Sequence, residues 1–189
     1  MRAFRIAQYV LFGILDLLVT LIALVFFNWW LPFIAVKSPR FVGYQDLPGF
    51  FRWFGTFDAS LDEGWAGGYF ATHYPLDTYP PYWTRKAYQI RWLYRNPSYG
   101  FSYYALGTAF DPKAWTATYS KIGNVERFTA VSTNGHFNWM YTGPLGTYKL
   151  GWKAWNYFDP TNNEWRNTPY GPSMTAPEVT SINPFRKGT

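Results

Sequence analysis

The apolar positions change period along the chain, and each change marks a different kind of element. From Ile6 to Phe27 the sequence reads IAQYVLFGILDLLVTLIALVFF and is apolar almost throughout. At helical rise this run reaches about 33 Å, the thickness of a bilayer core, so it predicts a transmembrane anchor within residues 1–36. Trp29 and Trp30 follow as an interfacial aromatic belt, and Pro32 stands where the helix can stop. Residues 37–60 form a juxtamembrane segment in which Phe50, Phe51, Trp53, Phe54 and Phe57 crowd around Arg52. Phe50, Trp53, Phe54 and Phe57 have i, i+3, i+4, i+7 spacing, which predicts an amphipathic segment lying on the membrane surface or packing into a core. Residues 61–189 read as the globular domain. After Pro80-Pro81, Trp83, Ala87, Ile90 and Tyr94 recur at helical spacing as a buried face, with Arg85, Lys86, Gln89 and Arg91 on the solvated faces.

Beyond Gly100 the period falls to 2. The runs FSYYALGTAF, AWTATYS, VERFTAVS, HFNWMYTG and YKLGWKAW, with a short run near Glu164 to Arg166, read as strands. Asn134-Gly135 and Gly143-Pro144-Leu145-Gly146 supply turns between neighbouring runs. The fold expected is therefore α+β: one N-terminal transmembrane helix, then a small domain with a short amphipathic helix and an antiparallel β-meander over about residues 100–158. The proline-bearing tail from Asn162 is expected to be extended.

Composition sharpens this reading. The chain has 189 residues, 23% of them aromatic and only 15% charged. Large amphipathic rings suit cores, binding surfaces and membrane interfaces. The absence of Cys excludes disulfides, thiol nucleophiles and thiolate metal sites. The net charge of +6 is scattered without a run of four basic residues, which disfavours nucleic acid and leaves anionic lipid as the better match. Basic residues flank the anchor on both sides, so the positive-inside comparison is nearly even and leans to a cytoplasmic domain.

Asp16 interrupts the apolar run, and a carboxylate at that depth costs a few kcal/mol unless it is neutral, paired or wet. Either it marks a helix contact, in self-association or with a partner and aided by Gly13, or the span begins near Leu17. The stretch Asp58 to Tyr82 carries Asp58, Asp62, Glu63, His73 and Asp77 among glycines and prolines. Asp58, Asp62 and Glu63 are candidates for a hard cation such as Ca²⁺, and these three with His73 for acid/base catalysis. The spacing departs from an EF-hand loop, and turn and cap chemistry uses the same residue types. No cofactor fingerprint, nucleophile elbow, Walker loop or HExxH helix is present. His136, inside an expected strand, reads as structural.

The segments WLYRNPSYGF at Trp92 to Phe101 and TFDASLDEGW at Thr56 to Trp65 resemble an uncharacterised family of small membrane proteins of tailed bacteriophages. Gly151-Trp152-Lys153 and Asn183-Pro184-Phe185 also fit, so the resemblance runs through most of the chain. Asp62-Glu63-Gly64 replaces a longer Asp-Gly-Asp-containing stretch, which weakens a cation site. The resemblance implies a single-pass protein in the membrane of an infected bacterium and carries no activity. The function expected is a noncatalytic, membrane-anchored protein that binds an envelope or membrane-protein partner, in host takeover or superinfection exclusion. The alternatives are an envelope-acting hydrolase and a cell-wall or glycan-binding module.

Overall fold

The computed structural model describes residues 2–63, 80–166 and 174–183. It is an α+β fold with an apolar N-terminal helix and an antiparallel sheet. The helix α1, Arg2–Ile22, continues through a wider-wound turn at Ala23–Phe27 and a 3-10 turn at Leu31–Ile34 that contains Pro32. The stretch Ala3–Phe27 is long and apolar enough to cross a membrane. Contacts divide the chain into one unit of residues 1–15 and 106–189 and another of residues 16–105. Helix α1 crosses the division, with Tyr9 packed on the core of the first unit and Val19 on that of the second.

The unit of residues 16–105 is built on the short strands β1 (Val36–Lys37) and β2 (Gln45–Asp46), a 3-10 helix at Gly49–Phe54, and the helices α2 (Tyr82–Arg95) and α3 (Tyr99–Leu106), the last ending just past its boundary. Its core gathers Ala23, Leu31, Leu47, Phe54, Leu61 and Leu93. Two expectations are corrected within it. The segment FSYYALGTAF, expected as a strand, begins with helix α3. The backbone N–H of Gly100 donates to the carbonyl of Gly55 (2.6 Å), Trp53 packs on Phe101, and Phe57 stacks on Tyr103 (4.5 Å, 2° between ring planes), so tertiary contacts override strand propensity. A Cβ at Gly100 would lie 2.1 Å from the carbonyl oxygen of Arg52, so this approach requires glycine.

The aromatic run at 50–57 is the second correction. It is a 3-10 helix with three residues per turn, followed by extended chain, so its rings do not gather on one α-helical face. Phe54 is buried, Phe51 and Trp53 are half-buried, Phe57 lies against Tyr103, and Phe50 alone is well exposed. Packing into the core, the other reading of this segment, describes most of it.

In the other unit the sheet runs β11-β7-β6-β5-β4, antiparallel throughout: β4 Trp115–Ile122, β5 Val125–Ser132, β6 Phe137–Gly143, β7 Gly146–Trp152 and β11 Pro177–Asn183. The expected meander is present from β4 to β7, and its turns fall at Asn134-Gly135 and Gly143 to Gly146. Glu164–Trp165 forms β9, paired with Phe158–Asp159 as β8. Thr108–Ala109 and Met174–Thr175 pair as β3 and β10. Strict alternation sends Phe128, Ala130 and Met140 inward to a core with Trp115, Trp152 and Phe158.

Candidate functional site

Three features carry candidate chemistry: the acidic cluster, the outer face of α1 and the outer face of the sheet.

The acidic cluster is taken up by structure. Arg85 donates twice to Asp62, at 2.9 and 2.5 Å, and the Gln89 side chain and the Gln45 backbone N–H donate to the same carboxylate at 2.8 and 2.7 Å. Lys86, 3% exposed, donates to the carbonyl of Pro32 and to the side-chain oxygens of Gln45 and Gln89. Burial, then the adjacent Arg85, lowers the Lys86 pKa, and Asp62 offsets part of that shift. A carboxylate that accepts four hydrogen bonds has its lone pairs committed to the structure. Asp46 is held likewise: Arg40 pairs with it at 3.0 and 3.1 Å and also donates to the carbonyls of Phe57, Thr56 and Ala59. Of the other candidates, Asp58 is exposed, and Glu63 has its pKa raised by partial burial and by Asp58. His73 and Asp77 lie outside the described residues. Among the described residues no three His, Asp or Glu side chains are grouped to hold a metal ion. The placement of Lys86 and Gln89 is itself a correction, because both were expected on the solvated side of α2.

Helix α1 has its polarity reversed relative to a helix in water. Its inward side carries most of its polar groups. In one unit Arg5 donates to the carbonyl of Asn134 (3.0 Å) and to Gln8, while the Tyr9 hydroxyl donates to the carbonyl of Glu178 (2.5 Å). In the other, Ser102 donates to Asp16 (2.6 Å), Thr20 shares a hydrogen bond with Ser98 (2.7 Å), and Asn28 just beyond the helix donates to the carbonyl of Leu93 (3.1 Å). Asp16 is only 9% exposed. Its hydrogen bond therefore comes from within the chain, an arrangement neither expectation for it contained. The outward side presents Phe4, Val10, Leu11, Ile14, Leu18, Leu21, Val25 and Phe26, and Trp29 extends it, all exposed. Trp30 instead tucks inward, its indole donating to the carbonyl of Phe26. Nothing lies within 4 Å of a Cβ built on Gly13.

The outer face of the sheet is a mixed aromatic and hydroxyl surface. Cross-strand register aligns Ser120, Arg127, Tyr141 and Tyr148 in one row and Thr118, Thr129, Trp139 and Leu150 in the next. Trp139 is 37% exposed and lies nearly parallel to Tyr141 (10°, centroids 6.3 Å apart). Tyr141 in turn contacts Tyr148. Sequence alternation signalled that these rings share a face, but not which face is covered.

The whole chain, residues 1–189, matches a family of unknown function, DUF7338. The chain belongs to that family. No curated protein and no solved structure matches it. Membership therefore brings no activity to the site, and the functional argument rests on the surfaces just described.

Proposed function

We propose that this DUF7338 chain is a noncatalytic, membrane-anchored protein that uses its exposed sheet face to bind an envelope or membrane-protein partner. The observation that carries the reading is the reversed polarity of α1. Outer side chains in water are ordinarily polar, whereas this helix turns Arg5, Tyr9, Asp16 and Thr20 toward its own chain and leaves aliphatic side chains outside. Hydrocarbon is the medium that makes such an arrangement stable, since polar groups there must be satisfied internally. The length of the apolar stretch supports single-pass insertion, with Trp29 at one interface. The resemblance to phage membrane proteins supports a role in the infected bacterium, in host takeover or superinfection exclusion.

Binding is supported by the outer sheet face, where two large rings and several hydroxyls share one surface. Expression in a bacterial host followed by carbonate extraction tests the anchor: the chain stays with the membrane pellet, and release into the soluble fraction overturns the reading. Crosslinking and pull-down from infected cells tests the partner, with Trp139→Ala and Tyr141→Ala expected to lose the crosslinked species together. The same rings beside Ser120, Thr118 and Arg127 also suit a glycan, which would appear as retention on purified peptidoglycan that these two substitutions abolish.

A further inference from the structure

Helix α2 repeats the reversal seen in α1. At about 100° per residue, Trp83, Ala87, Ile90 and Tyr94 fall in one sector of the helix. In the sequence that sector reads as a core face, yet Trp83 is 72% exposed, and Ala87 and Tyr94 are exposed as well. The sector on the other side of Ile90, with Lys86, Gln89 and Leu93, is the buried one. Arg91 and Arg95, both exposed, lie in the sector beside the apolar stripe. The stripe also joins the end of the α1 helical stretch within the same unit: Tyr94 donates to the carbonyl of Leu24 (3.2 Å), and Trp83 packs edge-on against Phe33 (6.2 Å).

We infer that α2 is a second membrane-contacting helix, lying in the interfacial region of an anionic phospholipid bilayer with Trp83, Ala87 and Tyr94 in the acyl boundary and Arg91 and Arg95 among the headgroup phosphates. The inference rests on the anchoring role of α1. Three observations commit the surface to lipid. The apolar stripe continues the outer apolar surface of α1; Trp and Tyr are the residues that favour the headgroup level; and the flanking guanidinium groups complement phosphate. A polar network of Asp62, Arg85, Lys86, Gln89 and Gln45 beneath the helix completes the pattern, because it satisfies the polar side internally and frees the other side to be apolar.

The native chain has no Cys, so single-cysteine labelling is clean. The full-length chain would carry an environment-sensitive nitrobenzoxadiazole dye at Ala87→Cys, at Leu18→Cys on the outer side of α1, or at Thr84→Cys on the basic side of α2. Each variant is reconstituted into phosphatidylethanolamine–phosphatidylglycerol vesicles, with circular dichroism confirming the fold. The dye at position 87 is expected to shift to shorter wavelength and to be quenched by nitroxide-bearing lipids, whereas the dye at position 84 keeps the emission of an aqueous site. Replacing phosphatidylglycerol by phosphatidylcholine weakens quenching at position 87, and Arg91→Gln with Arg95→Gln removes that difference. If position 87 reports water while position 18 reports lipid, this inference fails and the anchor stands; if both report water, the anchor fails too. A blue shift at position 87 without quenching by lipid nitroxides means that protein, for instance a second copy, covers the stripe, and also overturns the inference.

Discussion

His136 lies with its ring centroid 4.6 Å from that of Trp152, and neither its Nε2 nor the Trp152 indole nitrogen has a hydrogen-bond partner. Burial, reinforced by the Arg5 charge, pushes its pKa down to about 4. The unfolded chain takes up this proton near pH 6.5, so between that value and about 4 the unfolded state binds more protons than the folded one. Stability should be flat above pH 6.5 and fall by roughly 1–3 kcal/mol as the pH drops toward 4, and His136→Gln should flatten the slope. Denaturation of the detergent-solubilised protein across that range measures it. Gly151 makes a second residue-scale case. Its φ is +95°, and a Cβ there would lie 2.1 Å from the carbonyl oxygen of Phe137, so Gly151→Ala should destabilise by about 2–4 kcal/mol in the same assay. Asp62 is the residue at which structural and catalytic readings part. Asp62→Ala removes the buried carboxylate to which Arg85 and Gln89 donate and should lower stability by about 3 kcal/mol, whereas a catalytic acid would lose activity with the fold intact.

At the scale of elements, periodicity located the stripes on the helices but not the side that faces the protein. In α2 the positions Trp83, Ala87, Ile90 and Tyr94 were legible as one face, and the tertiary environment turned that face outward. The reason is physical: spacing gathers side chains on one face but carries no information about whether that face meets the protein or its surroundings. Strands β4 to β7 were legible because alternation and Gly-bearing turns agree. Helix α3 was not, because Phe101 and Tyr103 have high strand propensity and are held helical by partners distant in sequence. In α1, Asp16→Asn keeps an acceptor for Ser102, while Asp16→Leu leaves that hydroxyl unpaired. The Leu variant should therefore be the less stable by about 1 kcal/mol, despite its greater apolarity, as measured by thermal unfolding in detergent.

For the whole chain, the apolar N-terminal helix was visible in the sequence as a long apolar run, and the family match extends over all its residues without adding an activity. The acidic stretch read as the densest cluster of candidate ligands, yet Asp62 spends its oxygens on Arg85, Gln89 and Gln45. Sequence spacing could not reveal this, because Arg85 lies 23 positions away. One consequence of α1 reaches into how the protein can be handled. Its residues and those of the turn that continues it are built into two separate cores: Tyr9 packs against Phe137 and Trp152, while Val19, Ala23 and Phe27 join the cluster around Leu31, Phe54 and Leu93. Trimming the hydrophobic terminus to obtain a water-soluble fragment would thus open both interiors at once. What is left should behave as an aggregating, partly folded chain, so this helix is a structural part of each unit as well as the proposed attachment to the bilayer.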